Sequence, residues 1–169
     1  MDTTDTLLRK IRIWIALFIF GLVLSGVTAF PLQSELNWLS SHSNFLPGIL
    51  QDWIRRVADG VNQTNNQFSF IAYGTDWLAF AHLVIAMAFI GPFRDPVRNE
   101  WVIDWAILCC VAIVPLALIT GPIRSIPLFH QLIDISFGLV GVIPLLIVRK
   151  KIRQLDKLSD HSRRLPSTT

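Results

Sequence analysis

Residues 101–120 read WVIDWAILCCVAIVPLALIT, and Asp104 is the only charged residue in this run. A helix rises about 1.5 Å per residue, so about 20 apolar residues cross a hydrocarbon core that is about 30 Å thick. Inside lipid each backbone N–H and C=O must be satisfied within its own segment, which only a helix achieves for a single run. The stretch therefore predicts a transmembrane helix and, with it, a membrane fold.

Three further apolar runs have similar length: residues 14–30, 75–93 and 128–148. We predict an all-α fold, an integral membrane bundle of four transmembrane helices that occupies residues 13–148. Residues 1–12 and 149–169 form the two tails. The 169-residue chain is 52% hydrophobic and leaves no room for a separate soluble domain, which excludes a water-soluble enzyme.

The basic residues are distributed asymmetrically around the four runs. Twelve of the 15 Lys and Arg residues precede the first run, lie between the second and third, or follow the fourth; the other three are Arg55, Arg56 and Arg124. Cytoplasmic flanks of transmembrane helices collect Lys and Arg, so we predict that both tails are cytoplasmic. The net charge of +3 thus has a topological origin and is not the signature of a nucleic-acid-binding protein.

The external segment, residues 32–74, carries a helical apolar pattern. The residues at helical spacing are Leu46, Leu50, Trp53, Ile54, Val57 and Val61, and the opposite positions are Asp52, Arg55, Arg56 and Asp59. The pattern predicts an extracytoplasmic amphipathic helix, which either lies in the headgroup region or covers the bundle or a partner subunit. Residues 60–67, GVNQTNNQ, are predicted to be a polar loop.

Two features of the first run bear on its role. Its end, Val27-Thr28-Ala29, resembles a signal-peptide cleavage site, but the apolar stretch is long and Phe30-Pro31 follows it, which favours an uncleaved anchor. Gly21 and Ser25 are four residues apart and share a helix face, so this face is predicted to let another helix approach closely.

Ionisable residues within the apolar runs are the natural candidates for function, because each costs about 2.5–3.5 kcal/mol to insert. We group four such residues under the name polar cluster: His82, Asp104, His130 and Asp134. Asp104 lies near the predicted inner end of its helix, where Arg94 or Arg98 would be its partner.

The fourth run places polar and small residues on one face, at spacings of four, four and three: His130, Asp134, Gly138 and Gly141. The glycines leave room for another helix or for a flat cofactor. Arg124 lies in the turn before this run, on the predicted outer side.

Three hypotheses for the cluster remain open. In the first it is structural, and His82 pairs with Asp134 across the bundle. In the second His82 and His130 ligate a haem b, with Arg124 near its propionates and Gly138 and Gly141 beside the ring. In the third His130 and Asp134 belong to a quinone, lipid or proton site, where the carboxylate stabilises an imidazolium.

Other chemistry lacks its residues. Cys109 and Cys110 are adjacent and form no CxxC pair, so membrane-embedded disulfide exchange is not indicated. His130-x3-Asp134 alone is not specific for a metal, and no serine or cysteine stands beside a histidine within one run. We therefore predict no catalytic residues and no metal ligands.

The function that fits this pattern best is that of a non-catalytic structural or accessory subunit. The alternative is a b-type haem- or quinone-binding protein that transfers electrons through His82 and His130. Membrane lipids and other membrane subunits are the expected partners. The compact size and the absence of external cysteines favour a bacterial inner membrane.

Overall fold

A computed structural model describes residues 3–164, so residues 1, 2 and 165–169 of the two predicted tails lie outside the described residues. Within the described part the fold is all-helical and has no strand, which confirms the predicted class. Its helices are α1 (Thr3–Ala29), α2 (Leu32–His42), α3 (Gly48–Gln67), α4 (Ala72–Ala88), α5 (Ile90–Arg94), α6 (Glu100–Ile123) and α7 (Leu128–Arg164). Short 3₁₀ turns, Ser43–Phe45 and Ser69–Ile71, precede α3 and α4.

Among these residues, four helical stretches are long and apolar enough to cross a membrane: Thr4–Ala29, Ser69–Arg94, Glu100–Ile123 and Leu128–Ser159. Each overlaps one of the four predicted runs, so the prediction of four apolar helices of membrane-spanning length is confirmed. The second stretch breaks between α4 and α5, because Pro92 has no N–H to donate to the carbonyl of Ala88. The helical bonding resumes where the Phe93 N–H donates to the Phe89 carbonyl at 3.0 Å.

The prediction of a polar loop at residues 60–67 is wrong, because α3 continues to Gln67. Asn62 and Asn65 in this stretch bond with Gln33 of α2 through their side-chain amides. Polar side chains that find tertiary partners no longer compete with the helical backbone for its hydrogen bonds. A polar stretch that reads as a loop in isolation therefore becomes two further helical turns.

Helix α7 does not end at residue 148, where the predicted tail 149–169 begins, but runs to Arg164. Leu145, Val148, Ile152 and Leu155 are all buried. Their spacing of three and four residues continues one apolar face beyond the membrane-length run. The tail thus begins as a direct extension of the last helix.

The described chain divides into two compact units. Residues 21–86 form one, called here the central unit, and residues 3–20 with 87–164 form the other, called here the terminal unit. In the terminal unit, Ile11 and Ile15 of α1, Phe89, Ile103 of α6 and Ile152 of α7 are fully buried. The rings of Phe18 and Phe89 pack at a centroid distance of 4.8 Å, so α1 contributes to this core.

In the central unit the close approach of α1 to α4 occurs at Gly26. A Cβ at Gly26 would lie 2.9 Å from the Ala79 carbonyl oxygen and 3.2 Å from the Cβ of His82, whereas a Cβ at Gly21 would meet nothing within 4 Å. The prediction that the face of Gly21 and Ser25 is the contact face is therefore wrong. Gly26 lies on a different side of the helix, because successive residues turn by about 100°.

Candidate functional site

His82 lies in α4 and is half-buried. Its Nδ1 is 2.9 Å from the carbonyl oxygen of Leu78, one turn earlier in the same helix. A carbonyl can only accept, so the hydrogen on Nδ1 donates and the ring orientation is defined within α4. The local partner satisfies one of the two ring nitrogens.

His130 and Asp134 come together on one turn of α7, as their spacing predicts. The distance from His130 Nε2 to Asp134 Oδ1 is 4.0 Å, and both side chains are partly exposed. This separation is too long for a hydrogen bond, and the contact is ionic only when the imidazole is protonated. His82 belongs to the central unit and these two residues to the terminal unit, so its predicted pairing with either stays a prediction.

The glycine face of α7 is occupied by protein. A Cβ at Gly138 would lie 2.6 Å from the carbonyl oxygen of Cys110 on α6, and one at Gly141 would lie 3.1 Å from the Cys110 sulfur. The ring of Phe18 is 3.6 Å from the same Gly141 position. The glycines therefore admit a neighbouring helix, which is one of the two alternatives that their spacing left open.

The turn between α6 and α7 is closed tightly, with Arg124 exposed on it. The Ile126 N–H donates to the Gly121 carbonyl at 2.9 Å, and Ser125 has a positive φ of 57°. Gln131 of α7 packs directly against the Cα of Gly121, and its amide donates to the Ile126 carbonyl at 2.8 Å. Gln131 is buried, so this polar residue, which sequence reasoning missed, stabilises the turn that carries Arg124.

Two acidic residues of α6 face two arginines of α7. Arg149 Nε lies 2.7 Å from Asp104 Oδ1, and Arg153 Nε lies 3.0 Å from Glu100 Oε1. We call these two contacts the ion-pair ladder. Sequence reasoning expected Arg94 or Arg98 as the partner of Asp104, and the structure instead places Arg149 there. The sequence did carry a signal for this pairing. The two acids are four residues apart on α6 and the two arginines are four residues apart on α7, so antiparallel helices joined by a short turn can bring them opposite each other.

The Asp104 contact differs from its neighbour in geometry. Arg149 Nε and Asp104 Oδ1 are both shielded from solvent, and neither atom has a hydrogen-bond partner with good alignment within the described residues. The pair is therefore held by charge at short range. By contrast, the Arg153 Nε–H donates a regular hydrogen bond to Glu100, whereas the Asp104–Arg149 contact is short but poorly aligned.

A set of side-chain amides joins α2 to α3 in the central unit. Asn62 accepts from Gln33 at 2.8 Å and donates to Asn37 at 2.7 Å, while Asn65 donates to Gln33 at 2.9 Å. The start of α2 thus lies beside the end of α3, which makes the two helices an antiparallel hairpin. The apolar residues predicted for one face of α3, such as Trp53 and Val57, are less exposed than Arg55 and Arg56.

A cleft of about 370 Å³ opens in the central unit where four segments meet. The turn after α1, the start of α2, the last turns of α3 and the start of α4 contribute to it. We call it the central cleft. Its lining includes Phe30, Gln33, Ser34, Thr64, Thr75 and Asp76. Sequence reasoning did not find it, because the residues are brought together only by the hairpin.

Within residues 3–164, no group of three or more His, Cys, Asp and Glu side chains could hold a metal ion. Comparison with protein-family models, with curated proteins and with solved structures gives no match to this chain. Function must therefore be argued from the chain's own surfaces.

Proposed function

We propose that this chain is a multi-pass protein of a bacterial inner membrane, with both termini cytoplasmic. In this arrangement it serves as a non-catalytic accessory subunit. The helical hairpin of α2 and α3 lies on the outer face and contacts a membrane partner there. The observation that carries the contact is the exposed apolar tip of this hairpin.

The placement in a bilayer is supported by what the long helices expose. Large apolar side chains of the long helices are exposed, for example Leu17 of α1 at 56%, Leu108 of α6 at 66% and Phe137 of α7 at 69%. Contiguous apolar surface of this extent is unfavourable in water and matches the hydrocarbon of a membrane. Trp101 and Trp105 at the start of α6 are exposed as well, as is typical of residues at a membrane interface.

The orientation is supported by charge. Successive connections between the four long helices would lie on alternate sides of the membrane. The basic residues gather in the two tails and in the connection at residues 95–99, which would share one side. Because cytoplasmic loops retain Lys and Arg during insertion, this asymmetry favours cytoplasmic tails and an external hairpin.

Cysteine accessibility tests the orientation. In a background with Cys109→Ser and Cys110→Ser, we expect Gln63→Cys to react with a membrane-impermeant maleimide in intact spheroplasts. The matched variant Gln154→Cys should react only after the membrane is opened, because its position lies beyond the last run on the tail side. The reverse pattern, or equal labelling of both variants in intact spheroplasts, would contradict the proposed topology.

The hairpin tip exposes two large apolar side chains that are close to each other in the sequence. Phe45 is 80% exposed and Ile49 is 75% exposed, the two highest values among the large apolar side chains of the described residues. In a hairpin held together by amide hydrogen bonds, such residues at the tip have no internal role in packing. Exposed apolar patches on an otherwise polar element mark sites of protein or membrane interaction.

Photo-crosslinking from the tip tests the contact. With benzoylphenylalanine in place of Phe45, irradiation of native membranes should give a discrete adduct with a second protein. The same probe at Gln63, on the charged side of α3, is the matched control and should give none. An adduct confined to lipid, an adduct with the mass of a self-dimer, or equal products from both positions would overturn the proposed subunit contact.

A further inference from the structure

The central cleft has one charged lining residue, and it is acidic. Asp76 lies in the first turns of α4 and is half-buried, while no Lys or Arg contributes to the lining. Within residues 3–164, no ion pair or hydrogen bond satisfies its carboxylate. A partly desolvated carboxylate without a partner favours a cation and disfavours an anion such as a free phosphate.

The cleft also contains three hydroxyl groups. Elsewhere in the described helices, hydroxyls such as those of Thr28 and Thr120 donate to a carbonyl one turn earlier, at 2.9 and 2.7 Å. The hydroxyls of Ser34, Thr64 and Thr75 in the cleft make no such bond in the described structure. Each of these hydroxyls can therefore rotate to accept a hydrogen bond from a ligand that lies beside Asp76.

The amides extend this set of acceptors. Asn65 uses its NH₂ group to donate to the Gln33 side-chain oxygen at 2.9 Å, which leaves the Asn65 side-chain oxygen as an acceptor. The cleft therefore presents a carboxylate, hydroxyls and an amide oxygen together. This combination suits a primary ammonium, which has three N–H donors, better than a quaternary ammonium, which has none.

The position of the cleft indicates what would be attached to the ammonium. The cleft lies where α1 ends at Ala29 and α4 begins at Ala72, the predicted outer ends of two spanning helices. Phe30 and Ile71 line it and are also exposed, so its edge is apolar. At the boundary between acyl chains and headgroups, such an edge suits an alkyl chain.

We propose that the central cleft binds the primary ammonium of an amphiphile, with Asp76 as counter-ion and Phe30 and Ile71 against its carbon chain. The source of the amine is either the headgroup of an ethanolamine lipid or a free long-chain amine. The inference rests on the proposed membrane placement, because the alkyl chain needs the adjoining bilayer.

Binding is measured on the full-length protein in phosphatidylcholine nanodiscs, by native mass spectrometry and by the shift in unfolding temperature. One arm replaces part of the lipid with phosphatidylethanolamine of the same acyl chains, and a second arm adds dodecylamine. We expect at least one of these probes to bind about tenfold more tightly than phosphatidylcholine, which equals about 1.4 kcal/mol. The arm that gives the signal identifies the source of the amine.

Two variants locate the site. Asp76→Asn should abolish the preference for the amine, whereas Asp52→Asn, which removes the same charge from the exposed side of α3, should retain it. Thr64→Val provides a second and milder test, because it removes one acceptor with little change of shape, and should weaken amine binding by a smaller factor. The unfolding temperature without amine verifies that each variant is folded.

The proposal is overturned if neither amine is preferred over phosphatidylcholine, or if folded Asp76→Asn retains the preference. These outcomes are independent of the test for a subunit contact, since the photo-crosslink at position 45 needs no ligand in the cleft. Conversely, loss of the crosslink with retained amine binding would refute the accessory role alone.

Discussion

Gly138→Leu should separate α6 from α7 and lower the free energy of unfolding by roughly 3 kcal/mol. The first carbon of any side chain at this position would lie 2.6 Å from the backbone carbonyl of Cys110. A backbone atom cannot move aside as a flexible side chain does, so the helices themselves must shift. Reversible unfolding in mixed micelles, followed by circular dichroism, measures the loss.

Gly21→Leu is the matched control for this prediction. It makes the same change within a spanning helix, but at a position where a Cβ meets nothing within 4 Å. We expect it to be neutral or slightly stabilising, because leucine is a better helix former than glycine. Equal destabilisation by the two variants would show that helix packing at Gly138 is not the cause.

Removal of the carboxylate charge in Asp104→Asn should lower the free energy of unfolding by about 2 kcal/mol. The change leaves the shielded Nε of Arg149 without a counter-ion, and no aligned hydrogen bond in the described structure replaces the lost attraction. Glu100→Gln, in the other contact of the ion-pair ladder, should cost under about 1 kcal/mol, because its partner Arg153 is 57% exposed, whereas the contacting atoms of Asp104 and Arg149 are both shielded from solvent.

A double-mutant cycle isolates the pair. The unfolding free energies of Asp104→Asn, Arg149→Gln and the combined variant should give a coupling of about 1 kcal/mol or more. Strictly additive effects would mean that the two side chains are neighbours without an energetic interaction. Added salt should change the Glu100 result more than the Asp104 result, since exposed pairs are more strongly screened.

The four long apolar helices were predictable because a run of about 20 apolar residues has few alternatives. The ends of these helices were harder to predict. Ile11 lies before the first run and Ile152 after the last, yet both are buried. Whether an apolar residue in a basic flank continues a helix depends on a neighbour to pack against, which a single sequence does not identify.

The contacts between helices were the least predictable part. The sequence indicates Arg94 or Arg98 as the partner of Asp104, and only the pairing of α6 with α7 brings Arg149 there instead. The central cleft could not be predicted for the same reason, since its lining combines segments spread over residues 30–76 of the chain. In both cases the spacing of residues along a helix indicates which side chains share a face, but it does not indicate which other segment packs against that face.

The length of α7 has a mechanical meaning. Its 37 residues span about 55 Å at helical rise, whereas the hydrocarbon core measures about 30 Å. With the proposed placement, a stalk of about 25 Å continues into the cytoplasm as the same helix. In that placement one helix, with its backbone bonding interrupted at Pro144, would connect the cytoplasmic stalk to the turn of His130 and Asp134 near the opposite face of the membrane.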